Sequence, residues 1–193
     1  GYFVLPYTIQ NYLADQAIWP RISTDHEEFV KVEKATEDRI QKLLNIKGKR
    51  SVDSIHKELG HICWEYIGMG RTKEGLETGI KKIDELRKEF ETNLFVPGER
   101  DGLNIELDKA IHLDDFITMG KLIAYDALSR NESCGGHFRE EHQTEEGEAL
   151  RDDKNFFYVG CWKYKGNDTV APELIKEPLE YEAIKVQTRN YKN

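Results

Sequence analysis

Between residues 24 and 129 the chain carries four successive amphipathic stretches, each opened by a residue able to cap a helix. Stretches of that kind, separated by short breaks, can bury their apolar faces only by packing side by side. In the first, Thr24-Asp25-His26-Glu27 reads as a capping box, with Thr24 and Glu27 satisfying each other's amides. Phe29, Val32, Thr36, Ile40 and Leu43 then share one face, and Lys47-Gly48-Lys49-Arg50 ends the helix. The second stretch starts from Ser51. Val52, Ile55, Leu59, Ile62, Cys63, Tyr66 and Ile67 step by three and four, and Gly68 and Gly70 close it. Arg71 is expected to reach a neighbouring carbonyl or carboxylate. The third, opened by Thr72, aligns Leu76, Ile80, Ile83, Phe90 and Leu94. A loop follows at Val96-Pro97-Gly98-Glu99-Arg100-Asp101-Gly102. The fourth, opened by Asn104, is apolar over more than one stripe: Leu107, Ala110, Ile111, Phe116, Ile117, Met119, Ile123, Ala124, Ala127 and Leu128. A helix of that breadth sits at the centre of a bundle or touches a second domain.

The two ends follow other rules. Leu5, Ile9, Tyr12 and Leu13 have helical spacing, Pro6 fits only a first turn, and Trp19-Pro20 ends the element. A chain opening on Gly1-Tyr2-Phe3-Val4-Leu5 reads as a piece of something longer. After Arg130, Cys134-Gly135-Gly136 breaks the helix, and seven acids within 140–153 against Arg151 predict a solvated, mobile loop. Residues 156–164 read as a strand and Lys165-Gly166-Asn167-Asp168 as a hairpin turn. Pro172 and Pro178 flank an extended stretch, and 179–183 reads as another strand. The expected fold is therefore mainly α: an antiparallel three- to four-helix bundle, spectrin-repeat-like, followed by a small irregular domain with short antiparallel β-strands. The expected divisions are a remnant helix over 1–20, the bundle over 21–130 and the tail over 131–193.

Composition removes several functions. With 28 Lys and Arg against 36 Asp and Glu, the net charge of -8 disfavours nucleic acid or an anionic membrane as partner. No run approaches the ~20 apolar residues that span a bilayer. Cys63, Cys134 and Cys161 form neither a disulfide framework nor a C-x-x-C pair, and read as free thiols in a reducing compartment. His137-x-x-Glu140-Glu141-His142 is one residue off the H-x-x-E-H zinc spacing, so no metal site is expected. Cys134 near His137 has the outline of a nucleophile with a base, without a distinctive thiol-enzyme motif. Gly68-Met69-Gly70-Arg71 lacks the strand and the Lys-Ser/Thr ending of a phosphate loop. Trp19, Trp64 and Trp162 read as packing residues.

The segment Arg130-x-Glu132-Ser133-Cys134-Gly135-Gly136-His137-x-Arg139-Glu140-Glu141 resembles the R-x-E-S-R-G-A-H-x-R-E-D motif of succinate dehydrogenase and fumarate reductase flavoprotein subunits. Leu59-Gly60 through Gly68-Met69-Gly70-Arg71, Asn104-x-x-Leu107 and the terminal Arg189-x-Tyr191 are similar to the same family's C-terminal region. The stretch from Gly1 to Asn11 resembles the last helix of its flavin domain. In this chain Cys134 stands for the family's Arg, Gly136 for its Ala, and Tyr2 and Phe3 for a polar pair.

The resemblance implies the helical and C-terminal domains of an FAD-dependent enzyme interconverting succinate and fumarate. They would buttress the flavin domain and help dock the iron–sulfur subunit, reaching the membrane only through anchor subunits on its cytoplasmic side. It implies no catalytic residue here and FAD only in the parent protein, with backbone contact at Phe3 and Val4. Glu132, His137 and Arg139 are implied in interdomain contact. L-aspartate oxidase shares a similar E-S-R-G motif, and a free-standing helical interaction module is the alternative from another class.

Overall fold

The computed structural model describes residues 1–16, 20–166 and 172–187. Trp19, Asn167, Asp168 and Arg189-x-Tyr191, all used above, lie outside the described residues. Six α-helices and two short two-stranded ladders occur among those described, so the mainly α expectation holds. The chain divides into two compact units, residues 1–42 and 43–193.

The first unit contains α1 (Val4–Gln16) and most of α2 (Glu27–Asn45). Pro6 sits in the first turn of α1, where its missing N–H costs nothing. The expected capping box is not what starts α2. The helix begins at Glu27, and the Nδ1 of His26 accepts from the Glu28 amide at 3.3 Å while Ser23 accepts from Asp25. A two-residue shift of the start, from a Thr24 cap to a His26 cap, removes Glu27 from the reach-back position that the box requires. Phe29 and Val32 of the expected stripe are exposed in this unit.

The second unit holds the bundle. Helix α3 (Val52–Ile62) is capped by Ser51, whose hydroxyl accepts from the Ser54 amide. It runs directly into a π-helical turn over Cys63–Ile67. Helix α4 (Lys73–Asn93) is capped by Thr72, and α5 (Ile105–Ser129) by Asn104. The three caps are those expected from the sequence. Ile55, Leu76, Ile83, Leu113, Ile117 and Ala124 are buried between the helices, and Leu43 and Leu44 close one end. Lys109 of α5 pairs with Asp53, His56 stacks on Phe116, and Gly120 lies against Leu59 and Cys63, so α3 and α5 run parallel. Arg87 of α4 meets Asp114 and Thr118, and Asp84 meets Lys121, which fixes α4 antiparallel to α5.

A contact that the periodicity did not announce locks the bundle's end. β1 (Arg50–Ser51) pairs in parallel with β2 (Leu94–Phe95). Before it, the Gly48 amide donates to the Leu94 carbonyl at 2.8 Å and the Lys49 amide to Asn93 at 2.9 Å. A Cβ at Gly48 would lie 2.0 Å from the Asn93 carbonyl carbon, so only glycine lets the two backbones meet. Lys47, with φ 51°, makes the left-handed step leading in.

Beyond α5 lie α6 (Asp153–Phe156) and the antiparallel pair β3 (Tyr158–Lys163) with β4 (Glu173–Pro178), Trp162 facing Leu174. β4 is the stretch between the two prolines. Residues 179–183 form no strand, against expectation; the Leu179 amide bonds back to Phe157 instead. The acidic segment expected as a loop is also structured. His142, Thr144, Glu148 and Leu150 exchange backbone hydrogen bonds, Gln143 bridges Ala149, and Gly147 makes the turn at φ 80°. Glu145 and Glu146 are exposed on a backbone that pairs with itself. Trp64 is 86% exposed rather than packed, because the π-turn rotates it off the apolar face.

Ile83 has no exposed surface. Ile83→Asp should therefore abolish the cooperative unfolding transition, whereas Ile83→Ala should keep it at a cost of about 2–5 kcal/mol. Gly48→Ala should cost about 1–3 kcal/mol in the same denaturant titration, although the residue is on no apolar stripe.

Candidate functional site

The polar residues 130–141 begin where α5 ends. Cys134 and His137 exchange backbone bonds at 2.9 and 3.0 Å, closing a two-residue turn over Gly135 and Gly136. Gly135 takes φ 60°, the left-handed conformation that glycine adopts without strain. Behind the turn, the Ser133 hydroxyl accepts from the Arg139 amide at 2.8 Å and donates to the Arg139 carbonyl at 3.1 Å. A serine can do both, so it clamps the two arms together.

Arg139 is 1% exposed. Its Nη1 donates to the carbonyls of Ala127 and Leu128, at 3.1 and 3.5 Å, and its Nε to the Glu141 carboxylate at 3.2 Å. The last carbonyls of a helix have no partner within it and carry the negative end of its dipole, so a guanidinium satisfies both needs. The second oxygen of Glu141 accepts from the Lys73 amide at the start of α4. Burial alone would raise this carboxyl, but the Lys73 amide and Arg139 outweigh it and hold Glu141 below the usual carboxylate range.

Glu132 is buried and serves two donors, the Arg130 guanidinium at 2.7 Å and the Asp152 amide at 2.9 Å. Arg130 also donates to the Phe156 and Tyr158 carbonyls and lies over both their rings, 5.1 Å from the centre of Tyr158. The pair therefore ties the tail to the end of α5. Trp162 of β3 adds a second tie, donating its indole N–H to Asp126 at 2.8 Å.

His137 joins a third element. Its Nδ1 lies 2.8 Å from the Arg71 guanidinium and its Nε2 2.9 Å from the Arg130 carbonyl. Arg71 itself donates Nε to Ile67 and Gly68, the carbonyl capping expected from the sequence. Its backbone bonds to Phe138 and Glu140.

The structure thus brings Glu132, His137 and Arg139 into one cluster whose hydrogen bonds are spent inside this chain. Phe3 and Val4 lie in the other unit, at the exposed start of α1. With both ring nitrogens engaged, His137 is closed to a metal, and no group of three metal-ligating side chains gathers among the described residues. The three cysteines are unpaired. Ser133 and Glu141 went unassigned in the sequence because their roles depend on which backbone returns to them. The reach of Arg71 and the glycine pair are legible in the sequence, and the resemblance singles out Glu132, His137 and Arg139.

This arrangement is recognisable. Residues 56–191 match the family described as Fumarate reductase flavoprotein C-term. The chain belongs to that family. The Proteus vulgaris fumarate reductase flavoprotein subunit is 31% identical over 150 residues, covering 78% of this chain and 23% of its own length. An L-aspartate oxidase of Nicotiana tabacum is 38% identical over 98 residues, covering 50% of this chain and 15% of its own. E. coli quinol fumarate reductase FrdA shares the fold at TM-score 0.68 and 24% identity, over 84% of this chain and 27% of that one. Mycobacterium smegmatis Sdh1 does so at TM-score 0.70 and 20% identity, over 91% and 27%. This chain therefore spans less than a third of the length of each.

Arg139→Met should lower the unfolding free energy by about 3–5 kcal/mol, since it strands two helix carbonyls and removes the charge that Glu141 answers. Denaturant titration of the variant against Ile83→Ala would show the polar cluster costing as much as a core position.

Proposed function

We propose that this chain is the C-terminal portion of an FAD-dependent oxidoreductase subunit interconverting succinate and fumarate. In this reading it buttresses the flavin domain, helps dock an iron–sulfur subunit and has no activity alone. The observation that carries the reading is the breadth of the fumarate reductase likeness, 78% of the chain for the Proteus subunit, through bundle and tail together. The exposed surface supports it. Phe116, Met119 and Ile123 form an uncovered face along α5, and in the other unit Tyr2, Phe3, Leu5, Tyr7, Ile9 and Tyr12 leave α1 uncovered. Contiguous apolar surface of that kind marks a place where another polypeptide sits.

In the same reading Glu132, His137 and Arg139 serve the interdomain contact by fixing the shape of the turn. Its outer residues, Gly135, Gly136 and Glu140, are exposed and free to meet the neighbouring domain. The flavin is held elsewhere in the parent. Phe3 and Val4 are 74% and 67% exposed, open to a contact through their backbone. The parent complex would be peripheral, on the cytoplasmic face of its membrane; among the described residues no helix is long and apolar enough to cross one.

L-aspartate oxidase is the second reading, favoured by the higher identity of the Nicotiana relative over the shorter segment. The intact gene product carrying this chain separates the two. Succinate-dependent dye reduction and fumarate-dependent oxidation of a reduced viologen are expected; peroxide formed from L-aspartate, with neither of those activities, would overturn the first reading. Residues 1–193 purified alone should show no flavin absorption band and no turnover.

A further inference from the structure

We propose that His137 is an acid-operated latch: uncharged, it fastens the turn over residues 134–137 to the bundle, and charged, it lets that turn go. The inference does not depend on what the turn faces or on the reaction of the parent protein.

The two ring contacts allow one protonation state. A guanidinium carries only N–H donors, so the nitrogen 2.8 Å from Arg71, Nδ1, accepts. A carbonyl only accepts, so the nitrogen 2.9 Å from Arg130, Nε2, carries the hydrogen. His137 is therefore the neutral Nε2–H tautomer, fixed by its partners. A proton added at Nδ1 would face an N–H of Arg71. The hydrogen bond would be replaced by a contact between two cations.

Arg71 cannot swing aside cheaply. Its Nε is committed to Ile67 and Gly68, where it closes the π-turn, and its backbone is paired with Phe138 and Glu140. The other charges around the ring do not compensate. Arg130, at the end of α5, and Arg139, on the returning arm, add to the positive field, while Asp126 of α5 acts on Arg71. Glu132 is spent on Arg130 and Glu141 on Arg139. Burial, with these three guanidiniums, holds the imidazole below its ordinary range; the Nε2 bond to Arg130 opposes them without reversing the sign.

What can move is limited. Ser133 and Arg139 are buried and hydroxyl-clamped at the base of the turn, whereas Gly135 and Gly136 are exposed, with open space around them. The turn is free to lift while its base stays in place. The direction with pH follows by linkage. A released ring takes its proton near the usual value of about 6.5, and the fastened ring only at lower pH. Fastening is complete above about pH 6.5 and weakens as the pH falls towards the fastened ring's own value.

Hydrogen exchange in the intact gene product, read by mass spectrometry on peptides spanning 130–142, tests this. After correction for the intrinsic pH dependence of exchange, protection of the Cys134 and His137 amides should be lost progressively between about pH 6.5 and about pH 5, and should stay level between about pH 8 and about pH 6.5. In His137→Gln, which cannot titrate, it should stay level. Protection that is level in the unaltered protein, or that falls equally in His137→Gln, would overturn the latch. A fall shared by peptides of α4 and α5 would mean general acid unfolding and would overturn it too. If His137→Gln does not fold, the comparison of the turn with α4 and α5 in the unaltered protein decides.

Discussion

A guanidinium buried at the end of a helix organises the polar segment that follows α5. Isolated, a buried cation costs many kcal/mol, and it persists only where hydrogen bonds and opposite charge meet it. Arg139 meets two open carbonyls of α5 and the carboxylate of Glu141, which itself receives the first amide of α4. The end of α5 and the beginning of α4 are thereby joined through two side chains, Arg139 and Glu141. The returning arm cannot leave without uncovering the charge, the carbonyls and the amide together. That mutual need holds a segment with almost no apolar residues of its own against the bundle.

How much of this could be read from the chain alone differs between its two kinds of order. The caps Ser51, Thr72 and Asn104, and the stripes through Ile55, Ile83 and Ile117, are local statements, set by residues three and four apart, and the sequence states them openly. The parallel pairing of Arg50 with Leu94 joins residues far apart, and its one local trace, Gly48, looks like any helix stop. The acidic hairpin after Glu141 was misread for a related reason. Its charges describe the side chains facing water, whereas its order resides in backbone bonds between His142, Thr144, Glu148 and Leu150. At α2 the local rule itself had two solutions, and His26 rather than Thr24 took the cap.

The breadth of apolar residues along α5 was legible, and its consequence is visible in the unit. One face, through Leu113, Ile117 and Ala124, is buried against α3 and α4. A second, through Phe116, Met119 and Ile123, is about half exposed. Each of these half-exposed side chains forgoes part of the ~1.5–3 kcal/mol that full burial gives, while Phe116 keeps its stack on His56 of α3.

The turn at 134–137 is closed by backbone rather than by the side chain at 134. Cys134 stands where the resembling motif has arginine, yet position 134 contributes to the turn through its amide and carbonyl, both paired with His137. The conformation is written by Gly135 in the left-handed region, by the Ser133 hydroxyl and by the ring of His137. None of these asks anything of the side chain at 134. Positive charge around the turn also does not vanish with that arginine, since Arg71, Arg130 and Arg139 approach it from three elements. Position 134 is thus one of several in the motif that act through backbone, as Phe138 and Glu140 do in their bonds to Arg71.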